Sequence, residues 1–542
     1  MTNPPPVPEG YGHLPGPPQQ GYGYPQQGPN PYAQQQPQQP QQPPHGYPQQ
    51  PPQGYGFPPP MPPGPPQGPP FPTPPGKRKT TVLIAAAVAG VLVLGTGGYF
   101  AFVHDGDSTT PTAQGTPGAS GDAKPGGPSP SASVDDGDGS GDGGTEQDLN
   151  AGRKPGEDKV LWLKTNQVEL PGGGAEAPAQ WVVGDTVVKA VYKSVTAYGV
   201  TDGKQRWTVP INGTICAATG QRTADARTVL AVKTSESGDC NQLKLIDLKA
   251  GKEGWTKEVP KEGPFDIMTT STLAITGDTV TVSRMGTASA FKVSTGDKLF
   301  GPPATGCKPN SFAGGGTKLI AIAGCGGDSE ELQSVDPATG KPQWTFKLEK
   351  GWSVSKVYST DPVVVDATKR ATKERAIAVF TNDGKLRTNL SGEGKFSARC
   401  GFSVFAGPQS CQGVVVDGAA NTMYMPTEGS PNEIAAFDLG TGKVKWRVPS
   451  GEGRSALPLK AENGRLIAYL EPGFEKGGEV VSYPAAGGQP TTLLRNPSGA
   501  ATVERTFFSP QVDFADGRLF LSASRLSGRN SGPEKLLMVF GK

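Results

Sequence analysis

Seven times between residues 197 and 492 the chain repeats one pattern around a glycine. The segments read AYGVTDGKQRW (197–207), LIDLKAGKEGW (245–255), AFKVSTGDKLF (290–300) and SVDPATGKPQW (334–344). They continue with AVFTNDGKLRT (378–388), AFDLGTGKVKW (436–446) and SYPAAGGQPTT (482–492). Their turn glycines are Gly203, Gly251, Gly296, Gly340, Gly384, Gly442 and Gly488, spaced by 48, 45, 44, 44, 58 and 46 residues. Five residues before each glycine stands Tyr198, Ile246, Phe291, Val335, Val379, Phe437 or Tyr483. Four residues after it stands Trp207, Trp255, Phe300, Trp344, Thr388, Trp446 or Thr492. A fixed offset on both sides of a turn residue marks a hairpin, in which glycine supplies φ > 0 and the flanking positions anchor paired strands. Units of ~40–50 residues without long helical periodicity suit one four-stranded propeller blade each, stacked face to face.

The two ends of this region complete each other. The chain closes on KLLMVF (535–540), a strand with no turn and outer strand after it, while KVLWLKT (159–165) opens the region with Trp162 in the anchor place. Pairing them joins the termini in one blade and removes the open edge of the ring. Seven complete units plus one composite predict an all-β, eight-bladed propeller over 159–542, with seven blades as the alternative. The expected structural anchors are Trp162, Trp207, Trp255, Phe300, Trp344 and Trp446.

The pattern A-x-D-x-x-T-G-x-x-x-W is met in full by Ala436, Asp438, Thr441, Gly442 and Trp446. It resembles the pyrroloquinoline-quinone-type β-propeller repeat family, and the region is similar to the eight-bladed outer-membrane assembly lipoprotein. The quinone-dependent dehydrogenases of that superfamily hold their cofactor with an adjacent Cys-Cys pair and a calcium-ligating acid set. No two cysteines are adjacent here, and no equivalent of that calcium site is recognisable. The resemblance therefore implies the fold and not the redox site, so no cofactor and no metal are expected.

All three histidines (His13, His45, His104) precede residue 105. A propeller without histidine has no His-based triad and lacks the ligands of most zinc sites. Asp247, Asp336 and Asp438 recur four residues before a turn glycine, which marks them as turn-bonding residues. No catalytic residue is expected, and the chain is read as a non-enzyme.

All six cysteines lie in the repeat region, and an even number predicts disulfides in an oxidising compartment. Cys216 follows its turn glycine by 13 residues and Cys307 by 11, while Cys240 precedes the next by 11 and Cys325 by 15. Similar places in different blades select Cys216–Cys240 and Cys307–Cys325, leaving Cys400–Cys411.

Upstream, residues 1–76 hold 29 of the 57 prolines and one charged side chain, Glu9. That composition predicts a disordered cytoplasmic tail with polyproline-II character. Thr80 to Val103 is an uncharged run of 24 residues preceded by Lys77, Arg78 and Lys79. It predicts one transmembrane helix (80–103), with the N-terminus cytoplasmic and the propeller outside. Residues 105–158 carry 11 acidic and 3 basic side chains and read as a flexible acidic linker. Within it Asp136, Asp138 and Ser140 mimic a calcium loop whose twelfth position is Gln147, which cannot chelate as a glutamate does.

The expected function is a single-pass, membrane-anchored scaffold at the cell surface, binding an unknown protein or cell-envelope partner. The longest inter-repeat spans, 395–427 and 500–532, are the expected contact regions. Basic runs interleaved with aromatics are missing, so no nucleic acid partner is expected. The alternatives are a ligand-sensing propeller signalling through its one helix, and a quinone-dependent oxidoreductase.

Overall fold

The computed structural model describes residues 148–401, 407–451, 453–507, 509–528 and 534–542. All belong to the second of two compact units, 125–542. They form eight four-stranded antiparallel sheets and two short strand pairs, an all-β, eight-bladed propeller. Blade 1 comprises Ala179–Val183, Thr186–Val191, Ser194–Gly199 and Gln205–Pro210. Blades 2 to 7 span 214–258, 267–300, 308–347, 352–389, 415–449 and 456–495. Blade 8 takes Gln511–Ala515, Arg518–Ser522 and Lys535–Gly541 from one end of the chain, and Lys159–Thr165 from the other. The closing pair is antiparallel, with Lys159 opposite Gly541 and Trp162 opposite Val539.

The expected transmembrane helix is not supported. No helix among the described residues is long and apolar enough to cross a membrane, and 80–103 lie outside them. The fold class is therefore corrected to an all-β propeller with no assigned spanning helix. Physically, the long apolar run was the whole basis of that expectation, whereas the apolar residues of the described chain are committed to β-strands. The tail 1–76 and the calcium-like loop 136–147 also lie outside the described residues, as do all but 148–158 of the linker.

The apolar core is divided rather than central. Buried apolar side chains of the described residues fall into eight clusters, one at each seam between successive blades. Two sheets stacked face to face exclude water from both inner surfaces, so each blade is buried only by its neighbours. The outermost strands are half-exposed and polar, as in Lys252–Glu258 (KEGWTKE), and charge on an edge strand discourages pairing with other chains.

The repeat pattern explains the seams. All seven turn glycines have positive φ, between +61° and +97°. A Cβ added to Gly203 would stand 2.8 Å from the ring of Trp162, and one on Gly251 2.4 Å from Trp207. The same holds for Gly296 against Trp255 (2.8 Å), Gly340 against Phe300 (2.6 Å) and Gly384 against Trp344 (2.5 Å). Each anchor thus covers the turn of the next blade. Trp162, Trp255 and Trp446 also donate their indole N–H across the seam to the carbonyls of Val200, Val293 and Ala485 at 3.2, 2.7 and 2.8 Å. In blade 7 the glycine against Trp446 is Gly487, one residue before the expected Gly488, at 2.8 Å. Where the anchor place holds Thr388, the turn of Gly442 closes on backbone, and a Cβ there would meet the Asn389 carbonyl oxygen at 2.2 Å.

Candidate functional site

The first strand of each blade faces the axis, and first strands of neighbouring blades touch around the ring. This builds a central channel. One segment of the chain lies across it: between Leu386–Asn389 of blade 5 and Val415–Asp417 of blade 6, Arg399–Cys400 pairs with Cys411–Gln412. Gln409 grips the backbone of Gly314 from both sides, its Oε1 accepting from the N–H and its Nε2 donating to the carbonyl, each at 2.8 Å. The amide of Gln221 also donates to Gln409 Oε1 at 3.2 Å. On blade 5, Val357 N–H donates to the Pro408 carbonyl at 2.9 Å and Lys356 Nζ to Ser410 Oγ at 2.8 Å. On blade 8, Val512 N–H donates to Gln412 Oε1 at 3.1 Å. Partners on blades 2, 4, 5 and 8 place this hairpin inside the ring.

A polar cluster around the buried carboxylate of Asp366 in blade 5 holds its root. Arg375 bonds both carboxylate oxygens of Asp366, Tyr358 donates to Asp366 at 2.6 Å, and Arg375 also donates to the Phe396 carbonyl. Burial and the neighbouring Asp366 carboxylate push the Tyr358 phenol up, and burial lowers the Lys356 ammonium. Both shifts follow from removing a charge from water.

The described parts of the spans expected to contact partners are largely strands. Residues 395–427 contain the channel hairpin and the first two strands of blade 6, and 500–532 contain the first two strands of blade 8. The turn pattern aligns the third and fourth strands of each blade, so inner strands of unusual spacing look like insertions.

The cysteines are joined as Cys216–Cys240, Cys307–Cys325 and Cys400–Cys411. Cys216–Cys240 links the first and third strands of blade 2, while Cys400–Cys411 closes the channel hairpin. Among the described residues Cys307, Cys325 and Glu331 lie close enough for a metal, but two of these are the sulfurs of a disulfide and not thiolates. Asp247, Asp336 and Asp438 each accept two backbone N–H bonds inside their own turns at 2.8–3.0 Å. These bonds lower the carboxyls of Asp336 and Asp438, with the Thr339 hydroxyl contributing first for Asp336.

Sequence reasoning missed an apolar patch on blade 3. Phe265, Ile267 and Met285 are 85%, 45% and 50% exposed, and Ile267 lies opposite Met285 in the sheet register. Asp266 between them turns inward, and its two oxygens receive Arg284 Nε and Nη2 at 2.8 and 2.9 Å. That buried pair fixes the loop, so the flanking side chains are held out in water. The patch lies at the end of the ring from which the hairpin enters, where each blade's first strand begins. The signal in the sequence was the run Phe265–Asp266–Ile267–Met268, three apolar residues around one acid between two repeats.

Against known proteins, the model of the family described as outer membrane protein assembly factor BamB matches residues 151–302 and 328–527. The chain belongs to this family of quinone-type repeat propellers. No curated protein matches it by sequence. Among solved structures, BamB from Moraxella catarrhalis is 14% identical with a TM-score of 0.41, covering 70% of this chain and 100% of that one. A quinohemoprotein alcohol dehydrogenase from Pseudomonas putida HK5 is 12% identical with a TM-score of 0.44, covering 71% and 76%. Its counterpart from Comamonas testosteroni is 13% identical with a TM-score of 0.40, covering 68% and 76%.

Proposed function

We propose that this BamB-family propeller is a non-enzymatic, extracytoplasmic scaffold that docks a protein partner on the face carrying Phe265, Ile267 and Met285. The observation that carries the reading is that patch, three large apolar side chains held in water by the Asp266–Arg284 pair. Burying Phe265 alone contributes roughly 2 kcal/mol to an interface, and an apolar anchor on a rigid base loses little entropy on binding. Family membership supports a role in assembling other proteins. The three disulfides support an oxidising compartment, where such bonds persist.

The test is photocrosslinking in intact cells from an unnatural residue at position 265, with position 386 on the opposite rim as control. A defined protein adduct is expected at 265, weakened by Ile267→Ser with Met285→Ser and missing at 386. Equal labelling from both positions, or none at 265, would sink the reading.

A further inference from the structure

Four cationic side chains among the described residues are buried: Lys189, Lys244, Arg284 and Arg454. Three of them meet a carboxylate, Lys244 with Glu253 at 2.6 Å, Arg284 with Asp266 at 2.8 Å and Arg454 with Glu479 at 3.3 Å. Lys189 has no such partner. A buried charge without a counter-charge is costly, and a lysine escapes the cost by giving up its proton.

Its place in the fold gives the exception a consequence. Lys189 lies on Thr186–Val191, the second strand of blade 1. Side chains alternate along a strand, so it shares a face with Val187 and Val191, which belong to the apolar cluster between blades 8 and 1. This is the seam at which the last blade meets the first. Across it, Lys189 Nζ donates to the Ala177 carbonyl at 2.9 Å and to Gln511 Oε1 of blade 8 at 2.7 Å. Gln511 Nε2 in turn donates to the Pro178 carbonyl at 2.8 Å. Two acceptors match the two N–H bonds of a neutral amine, whereas the third N–H of an ammonium would have no partner here. Burial holds the amine well below its ordinary value of 10.5.

We propose that the seam between blades 8 and 1 is a proton-operated latch, closed around the neutral amine of Lys189 and released when that amine is charged. Once the seam opens, water reaches Lys189 and the amine regains its ordinary basicity. Opening therefore takes up one proton. Each unit of falling pH favours it tenfold, until the closed seam is protonated too. The other ionisable groups on the elements packed around Lys189 are Tyr198 of blade 1, Glu176 of the entering segment, bonded to Arg525, and Lys164, Asp513, Arg518 and Lys535 of blade 8. Tyr198, pushed up to about 12 by burial, stays neutral at and below pH 9 whether the seam is open or closed. Burial raises the Asp513 carboxyl, so its sign is opposite and falling pH favours the closed form through it. The latch stands independently of partner docking.

The experiment is hydrogen exchange of the full-length chain, read by mass spectrometry at pH 9 and pH 7 and corrected for the intrinsic exchange rate. Peptides from 179–191 and 511–522 report the closing seam, and peptides from 279–292 and 318–335 the seam of blades 3 and 4. Opening of the closing seam is expected to rise at least about tenfold from pH 9 to pH 7, with no such rise between blades 3 and 4. Lys189→Met, which keeps the length of the side chain without an amine, abolishes the rise, and Asp513→Asn leaves it. Equal pH responses at both seams, or none at the closing seam, would overturn the latch. So would a response that survives Lys189→Met or disappears in Asp513→Asn. Should Lys189→Met fail to fold, the comparison of the two seams in the wild type decides by itself.

Discussion

Glu504 shows how much a single position can carry without any mark in the sequence. It ends the short helix Ala501–Glu504 and is 3% exposed. Tyr469 donates its hydroxyl to it, Asn496 its amide at 2.6 Å and Gly478 its backbone N–H at 3.0 Å. These donors favour the carboxylate, yet burial outweighs them and raises the carboxyl from 4.5 to about 7. An acid raised on folding binds more protons in the native state between those two values. Stability therefore falls as pH rises from about 4.5 to about 7, and this contribution levels off above. The shift corresponds to about 3 kcal/mol. Glu504→Gln is expected to remove that slope, so urea unfolding at pH 5 and pH 8 should differ more in the wild type than in the variant. Parallel pH profiles would refute the assignment. By contrast, the turn aspartates were legible beforehand, because an Asx bond is local and needs only residues two or three positions away.

At the scale of elements, the repeat pattern is a seam code: a ring of one blade lies on the turn of the next. Gly251 and Gly277 separate the two costs of losing such a glycine. Both have positive φ, +61° and +56°, but an added Cβ meets Trp207 at 2.4 Å in the first case and nothing within 4 Å in the second. Gly277→Ala should cost about 1 kcal/mol from the left-handed backbone alone. Gly251→Ala should cost about 1–3 kcal/mol more through overpacking of the seam. Urea midpoints at unchanged slope measure both, and equal losses would show that the tryptophan does not seal the turn. The channel hairpin was not legible in this way. Gln409 bonds to Gly314 and Gln221, 95 and 188 residues away, and no local pattern encodes such distant partners.

The described residues form a ring, and a ring depends on its closure. Lys159–Thr165 hydrogen-bonds only to Lys535–Gly541 within blade 8. The seam between blades 8 and 1 holds Lys189, fully buried, whose Nζ donates to the Ala177 carbonyl at 2.9 Å and to Gln511 Oε1 at 2.7 Å. Burial lowers this lysine well below its ordinary value. Deleting 535–542 should expose the edge of Arg518–Ser522 and unhook the opening strand. Oligomers on size-exclusion chromatography and loss of a single cooperative unfolding transition are expected. A monomer with the wild-type urea midpoint would mean that the composite blade does not close the ring.

Blade architecture, the closing strand and six of the seven turn glycines were legible in the sequence itself, which favoured eight blades over seven. Each rests on a local hairpin rule, with fixed offsets around a turn glycine, that recurs from blade to blade. The tertiary structure alone decided that Arg399–Cys400 and Cys411–Gln412 pair inside the ring and that Phe265, Ile267 and Met285 stand together in water. It also corrected the expectation of a spanning helix. Those features depend on which distant side chains meet once the ring has closed. Repetition fixes the form of each blade, but the axis and the two faces exist only when all eight are in place.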